Sequence, residues 1–233
     1  MSQPNANAIP MNRSRMNIKT MTSLAMLTAI SYVVMLLSKM LPQVAGFLQL
    51  DLKDTVICIG GFVFGPLAAA IISIVVAIVE MFTYSDTGPI GCIMNMLATG
   101  AFCCTASFVY KKIHTRKGAV LGLGLGVVVL TAVMLLWNYL ITPLYMTDIK
   151  RADIVKMLPT IFLPFNLVKG GLNMALILIL YKPVVTALRR VRLIPETYAP
   201  AQADRKLNSG FMLFAFTLLV TFVAIALVLT GII

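Results

Sequence analysis

Apolar runs long enough to cross a lipid bilayer recur from one end of this sequence to the other. About 20 consecutive apolar residues span the hydrocarbon core as a helix, and the run at residues 211–233 contains no ionisable side chain. Of the 233 residues, 60% are hydrophobic and 12% are charged, whereas soluble domains average about 45–50% and about 25%. The sequence therefore predicts an all-α integral membrane protein.

The apolar runs predict six membrane helices followed by a seventh. Gly65-Pro66 divides a run that is too long for one span, because proline lacks an amide donor and disfavours helix at the residue before it. The segment before this break is short enough to lie obliquely, and the sixth helix is expected to continue as far as Arg190. The predicted segments are residues 21–41, 55–64, 66–83, 92–110, 119–141, 158–181 and 211–233.

Basic residues predict how these helices are oriented. The formal net charge is +11, and most lysines and arginines fall in segments 13–19, 111–117 and 182–206, which an alternating topology places on one side. Basic loops mark the cytoplasmic side, so the charge reflects topology and no nucleic-acid partner is expected. The predicted parts are a cytoplasmic N-terminal tail (1–19), a six-helix membrane domain (20–190), a cytoplasmic linker (191–210) and an extra C-terminal transmembrane helix (211–233).

Two series of small residues predict close helix contacts. Ala25 and Ala29 form one pair, and Gly118, Gly122 and Gly126 form the other series; such spacing lets helices approach closely in lipid. The glycines follow no predicted strand, so a dinucleotide site is not expected, and a Walker A motif is missing from the sequence. The 4 cysteines lack the spacing of a zinc or redox site. We expect no enzyme, no metal site and no ATP hydrolysis by the chain itself.

Three polar side chains interrupt the sixth predicted helix. Successive helical residues rotate by about 100°, so Asn166, Lys169 and Asn173 fall on one face about 60° wide. A lysine at mid-bilayer costs about 2.5–3.5 kcal/mol on insertion scales and normally faces a polar cavity or a partner. A polar binding cavity is the preferred interpretation. Snorkelling of Lys169 to the interface or bonding between helices is the alternative.

Further polar residues lie near the outer ends of other predicted helices. Asn138 lies beside Trp137, and Asn95 lies one turn inside its span. Glu80 has three open interpretations: a ligand contact, an ion-pair partner or a solvated side chain. Amides, aromatic rings and one cation suit a mostly uncharged heteroaromatic molecule, whereas an ion pathway would be expected to place several carboxylates within the spans.

Five segments resemble, in this order, the substrate-binding S components of energy-coupling factor (ECF) vitamin transporters, with the riboflavin-specific branch the most similar. The resemblance covers about residues 20–190, and the patterns around Asn138 and Asn166 are its most specific part. The segments are "LDLKDTVICIGGFVFGPLAAAIIS", "DTGPIGCIMNML", "HTRKGAVLGLGLG", "LLWNYLITPLY" and "LPFNLVKGGLN".

This resemblance implies a six-helix S component in a prokaryotic cell membrane that binds riboflavin from the outside as its transported ligand. It also implies partnership with a transmembrane coupling subunit and two cytoplasmic ATPases, with no cofactor. Ala25 and Ala29 match the positions that dock the coupling subunit. The ligand-binding residues expected from the resemblance and the polar clusters together are Leu48, Gln49, Leu50, Asn95, Trp137, Asn138, Asn166, Lys169 and Asn173.

The sequence departs from the riboflavin branch at several positions. Gln49 stands where lysine is frequent, Cys92 replaces a glutamate, Glu80 lies near a frequent asparagine, and the segment 211–233 is additional. Three alternatives therefore stay open: an S component for a different vitamin or heteroaromatic ligand, a stand-alone secondary carrier, and a membrane enzyme acting on a lipid. The lack of clustered Asp, His or Cys residues argues against the enzyme.

Overall fold

The computed structural model describes residues 18–84, 87–145, 151–190 and 209–231, and throughout these ranges the protein is a bundle of helices. Most of the predicted linker (191–210) and most of the predicted N-terminal tail (1–19) lie outside the described residues. The helices are α1 (Ile18–Ser38), α2 (Lys53–Phe64), α3 (Pro66–Thr83), α4 (Gly88–Lys112), α5 (Arg116–Leu140), α6 (Thr142–Tyr145), α7 (Arg151–Met157) and, after a π-helical turn (Leu158–Phe162), α8 (Leu163–Arg190) and α9 (Ser209–Leu229).

Six helical stretches in the described ranges are long and apolar enough to cross a membrane. The all-α membrane architecture is therefore confirmed. The stretches are α1, α3, α4, α5 together with α6, α7 together with α8, and α9. The short predicted segment at 55–64 corresponds to α2, whose 12 residues reach only about 18 Å at 1.5 Å per residue. The six helical stretches of membrane-spanning length in the described ranges therefore include the C-terminal helix α9. The sequence had predicted six membrane helices before that C-terminal helix.

The break between α2 and α3 lies where the sequence predicted it. Gly65 adopts φ 96°, a left-handed backbone conformation that favours glycine because it has no Cβ. Pro66 begins α3, where its missing amide hydrogen costs nothing because the first helical amides have no partner within the helix. The chain thus turns inside the bundle, and α2 packs against α1, α3, α4 and α8.

Glycines bring α4 and α5 into close contact, as the small-residue spacing predicted. A Cβ added at Gly122 would lie 2.8 Å from the Ala106 carbonyl oxygen, and one added at Gly126 would lie 2.9 Å from the Phe102 carbonyl oxygen. Because the atoms of α4 nearest to these two glycines belong to its backbone, a residue larger than glycine does not fit at either position. The pair α4 and α5 forms the most extensive helix contact among the described elements.

We predict that Gly126→Ala destabilises the protein by about 1–3 kcal/mol, the usual cost of overpacking a tight contact. Gly124→Ala is the matched control on the same helix, because an added Cβ there meets nothing within 4 Å and alanine has the higher helix propensity. Thermal unfolding in detergent measures both variants. Equal melting temperatures for the two would contradict the close α4–α5 contact.

Candidate functional site

A cavity of about 250 Å³ lies between α1, α3, α4, α5, α8 and the first loop (residues 39–52). Its volume is just below the range of about 300–1,000 Å³ that is usual for small-molecule sites. The predicted site residues that line it are Leu48, Gln49, Leu50, Asn95, Asn138, Asn166 and Lys169. The structure therefore brings seven predicted residues, which are far apart in the sequence, around one space.

α8 contributes the polar face predicted from its sequence. Asn166 is 2% exposed and Lys169 is 8% exposed, so Lys169 does not snorkel to the surface. The Asn166 amide nitrogen donates to the Phe162 carbonyl oxygen at 2.8 Å, in the π-helical turn that leads into α8. Within the described ranges the Lys169 ammonium makes no hydrogen bond or salt bridge, so it is available to a molecule in the cavity.

α5 and the first loop supply neutral hydrogen-bonding groups. The Asn138 amide nitrogen donates to the Met134 carbonyl oxygen at 2.7 Å, and its amide oxygen accepts from the Thr142 hydroxyl at 2.9 Å. The Gln49 amide nitrogen donates to the Lys39 carbonyl oxygen at 3.1 Å, which ties the two ends of the first loop together. Both side chains are thereby held in defined orientations at the cavity wall.

A buried ionic cluster forms one side of the site. Lys53 is 1% exposed, and its ammonium lies 2.6 Å from the Asp51 carboxylate and 2.7 Å from the Glu80 carboxylate. Lys39 pairs with the second Glu80 oxygen at 3.2 Å, and the Asn95 amide nitrogen donates to Glu80 at 3.0 Å. The cluster joins α2, α3, α4 and the end of α1, and charges so buried need such pairing.

The cluster shows how Glu80 is paired, and it adds buried carboxylates and two further lysines to a site for which the sequence predicted one cation. Glu80 is an ion-pair partner, and it also lines the cavity. Burial alone would raise the pKa of the Asp51 carboxyl in the first loop, but the ammonium groups of Lys53 and Lys169 outweigh burial, so that pKa lies below its ordinary value. Asp51 is therefore an ionised acceptor at the cavity wall.

Asn173 and Trp137 do not line the cavity, in contrast to the prediction. The Asn173 amide nitrogen donates to the Asp51 carbonyl oxygen at 2.8 Å, and its amide oxygen accepts from the Thr55 hydroxyl at 2.8 Å. These bonds occupy Asn173 in attaching the first loop and α2 to α8. Trp137 packs against the apolar core of the bundle, because it lies one helical position away from the face that carries Asn138.

Sequence reasoning missed the aromatic and charged part of the lining. The missed residues are Lys39, Phe47, Asp51, Tyr84, Phe162 and Phe165. Phe47 and Phe162 make an edge-to-face ring contact with centroids 6.1 Å apart, and Lys39 lies 5.3 Å from the centre of the Tyr84 ring. The "LDLKD" segment was a usable signal, since three charged residues directly precede or begin a helix that packs inside an apolar bundle.

The arrangement can bind a small molecule that combines ring faces with hydrogen-bonding groups. Phenylalanine rings offer apolar surface, amides offer donors and acceptors, and Lys169 offers a cation. Among the described residues no group of three or more His, Cys, Asp or Glu side chains is placed to hold a metal ion. Fold and site together define a multi-pass membrane protein with a cavity suited to a small molecule.

Comparison with known proteins identifies the family. Residues 19–181 match the family described as ECF transporter, substrate-specific component, and the chain belongs to it. Proteins of this family bind a small substrate and partner with a coupling subunit and ATPases; they are not enzymes. The chain is thus a multi-pass membrane protein of the bacterial ECF type. α9 lies outside the matched residues.

Two relatives of this chain are named riboflavin transporters. The chain is 30% identical to the riboflavin transporter RibU of Staphylococcus aureus over 74% of this chain and 94% of that protein. It is 29% identical to the riboflavin transporter FmnP of Bacillus subtilis over 66% of this chain and 86% of that protein. A solved structure, described as the S component of a bacterial ECF transporter, superposes with a TM-score of 0.62 at 28% identity, covering 74% of this chain and 98% of that one.

We predict that Lys53→Met strongly destabilises the protein, by about 3–5 kcal/mol, because it leaves Asp51 and Glu80 without their buried cation. Lys156→Met is the control, since Lys156 pairs with Asp153 at 3.5 Å on the surface, where the side chains are 80% and 54% exposed. Such surface pairs contribute about 0–1 kcal/mol. The comparison is made by thermal unfolding in detergent. A similar loss of thermal stability in both variants would show that the buried cluster contributes no more to stability than a surface ion pair.

Proposed function

We propose that this chain is the riboflavin-binding S component of an ATP-driven ECF importer, with a six-helix S-component domain followed by an additional transmembrane helix. The carrying observation is the cavity in which Asn138, Asn166 and Lys169 surround one space beside aromatic side chains. Support for riboflavin itself comes from relatives at about 30% identity that are named riboflavin transporters. Riboflavin is the transported ligand in this proposal, and no cofactor is required.

Each lining residue receives a role under this proposal. Lys169 and Asn166 donate hydrogen bonds to the polar edge of the flavin ring or to its ribityl chain, and Asn138 adds an amide from α5. Backbone groups of Leu48, Gln49 and Leu50 contact the ligand from the first loop. Phe162 and Phe165 provide apolar contacts to the flavin ring, and aromatic pairing adds about 0.5–1.5 kcal/mol beyond burial.

The orientation of the chain follows from its basic segments. We place the N-terminus and the linker (191–210) in the cytoplasm, because basic residues favour that side. The cavity then faces the outside, where the vitamin is captured. Transport energy comes from two ATPase subunits on the cytoplasmic side, since the sequence has no Walker A motif of its own.

α1 offers the docking surface for the coupling subunit. Ala25 and Ala29 are exposed on α1, whereas Leu24 and Leu27 of the same helix are buried in the bundle. Two small residues one turn apart leave a shallow groove into which another helix can fit closely. This geometry supports the partner-binding role that the resemblance implied for the two alanines.

We predict that Asn166→Ala and Lys169→Ala each weaken riboflavin binding at least about tenfold, because hydrogen bonds to charged or buried polar groups contribute about 1.5–3 kcal/mol and 1.4 kcal/mol is tenfold. Quenching of flavin fluorescence on titration of ligand-free protein measures the affinity. The control is Lys156→Ala, which replaces an exposed lysine that does not line the cavity and is expected to bind like the parent. Parent-like affinity in both cavity variants would contradict the site.

A parent protein that leaves flavin fluorescence unchanged would contradict the riboflavin assignment. The family membership would stand, and the ligand would then be sought among other vitamins and heteroaromatic molecules. Uptake in cells that lack the ECF ATPases distinguishes the importer from a stand-alone secondary carrier, because a carrier would still accumulate the ligand.

We predict that Ala25→Leu combined with Ala29→Leu abolishes co-purification with the coupling subunit while riboflavin affinity stays within about twofold of the parent. Leucine keeps the helix apolar and fills the groove, so the expected defect is steric. Ala132→Leu on α5 is the control, because Ala132 is also an exposed alanine on a membrane-length helix. Retained co-purification in the double variant would remove these alanines from the docking surface.

A further inference from the structure

The C-terminal helix α9 makes specific contacts although most of its surface is exposed. Its span is 11% buried within the bundle, and its sequence has no ionisable residue between Phe211 and Ile233. Yet Ala215 and Ala226 are buried, and α9 packs along α8. An apolar anchor would need no such fit, so the contacts of α9 with the bundle call for a structural explanation.

Two adjacent glycines on α8 face two different helices, α5 and α9. A Cβ added at Gly170 would lie 3.0 Å from the Val127 side chain of α5, whereas one added at Gly171 would collide with the Phe222 ring of α9. The neighbouring Lys169 lines the cavity. α8 is therefore a shared wall, with the cavity on one face, α5 on a second and α9 on a third.

One apolar cluster connects α9 with the first loop. Its buried members come from the loop (Val44 and Leu50), from α8 (Phe165 and Val168) and from α9 (Ala226). Leu41, Leu48, Phe222 and Leu229 pack around them. Of these residues, Leu48, Leu50 and Phe165 also line the cavity. The same side chains thus contact the α9 cluster on one side and the ligand space on the other.

The ends of the first loop are attached by polar bonds, but its middle is not attached in the same way. The Leu52 amide donates to the Ser38 hydroxyl at 3.1 Å, and Asn173 donates to the Asp51 carbonyl oxygen. Between these ends, Val44 and Leu48 exchange backbone hydrogen bonds with each other, at 2.7 and 3.0 Å. Among the described residues, the contacts that hold this middle part are the ring contact of Phe47 with Phe162, the hydrogen bond from Gln49 to the Lys39 carbonyl oxygen and the apolar cluster, which is the one that reaches α9.

We propose that α9 braces the first loop over the cavity, with Phe222 and Ala226 as positioning residues for ligand retention. The loop supplies more of the lining residues than any single helix, so a bound molecule leaves when the loop moves away. Loss of the α9 contact therefore raises the dissociation rate constant, while the association rate constant changes little. The choice of riboflavin as the probe rests on the proposed function.

The test compares Gly171→Ala with the full-length parent. The added methyl group displaces the Phe222 ring, and the substitution replaces no residue that lines the cavity. We expect riboflavin to dissociate at least about threefold faster and backbone amides of residues 41–50 to exchange hydrogen faster, since most binding changes between related complexes appear in dissociation. Gly124→Ala, which adds the same methyl group in open space on α5, is expected to match the parent in both measurements.

Rescue separates positioning from a general loss of stability. Phe222→Leu combined with Gly171→Ala makes room for the methyl group and is expected to restore slow dissociation and slow exchange. If Gly171→Ala does not fold, Phe222→Ala removes the same contact from the other side, with the same expected readouts. The proposal is overturned if exchange in residues 41–50 and the dissociation rate both stay at parent values in the variant that folds.

The two proposals fail in different ways. A parent that does not bind riboflavin overturns the proposed ligand, and hydrogen exchange in residues 41–50, which needs no ligand, then decides alone whether α9 braces the loop. A parent that binds riboflavin, together with unchanged loop exchange and unchanged dissociation in Gly171→Ala and Phe222→Ala, overturns the brace and leaves the riboflavin site intact.

Discussion

The contact on which the rest of the structure depends is the Lys53 ammonium held between Asp51 and Glu80. It brings α2, which is too short to cross a bilayer, into register with α3 and with the first loop. Through Glu80 it also engages Lys39 at the end of α1 and Asn95 on α4. This network fixes the relative positions of these helices, because charges so deeply buried must stay paired. The wall of the cavity is set by this cluster.

Close packing at glycines fixes the positions of the helices that the ionic cluster does not join. The glycines on α5 bring α4 against it, and the Gly170–Gly171 pair of α8 fits between α5 and α9. α8 cannot rotate to relieve one neighbour without driving backbone or Cβ atoms into another. Asn166 and Lys169 are therefore directed into the cavity by contacts made on other faces of their own helix.

Much of the fold and part of the site follow from local patterns in the sequence. The apolar runs, the Gly65-Pro66 break and the shared face of Asn166 and Lys169 depend only on residues close together along the chain. The ionic cluster does not, because Lys53 and Glu80 are separated by 27 positions and nothing local pairs them. Trp137 illustrates the same limit. Its neighbour Asn138 lines the cavity, whereas Trp137, one step of about 100° around the helix, is half-buried against the apolar core.

The buried pair of Lys53 and Glu80 also constrains the order in which the chain is assembled. α2 emerges from the ribosome with its charges at one end and too few apolar residues to stay in a membrane alone. Its cation acquires the Glu80 carboxylate after α3 has been synthesised. We therefore expect α2 and α3 to enter the membrane as one hairpin, turned at Gly65. In this part of the protein, the smallest segment that can insert stably into the membrane is then a pair of helices rather than a single helix.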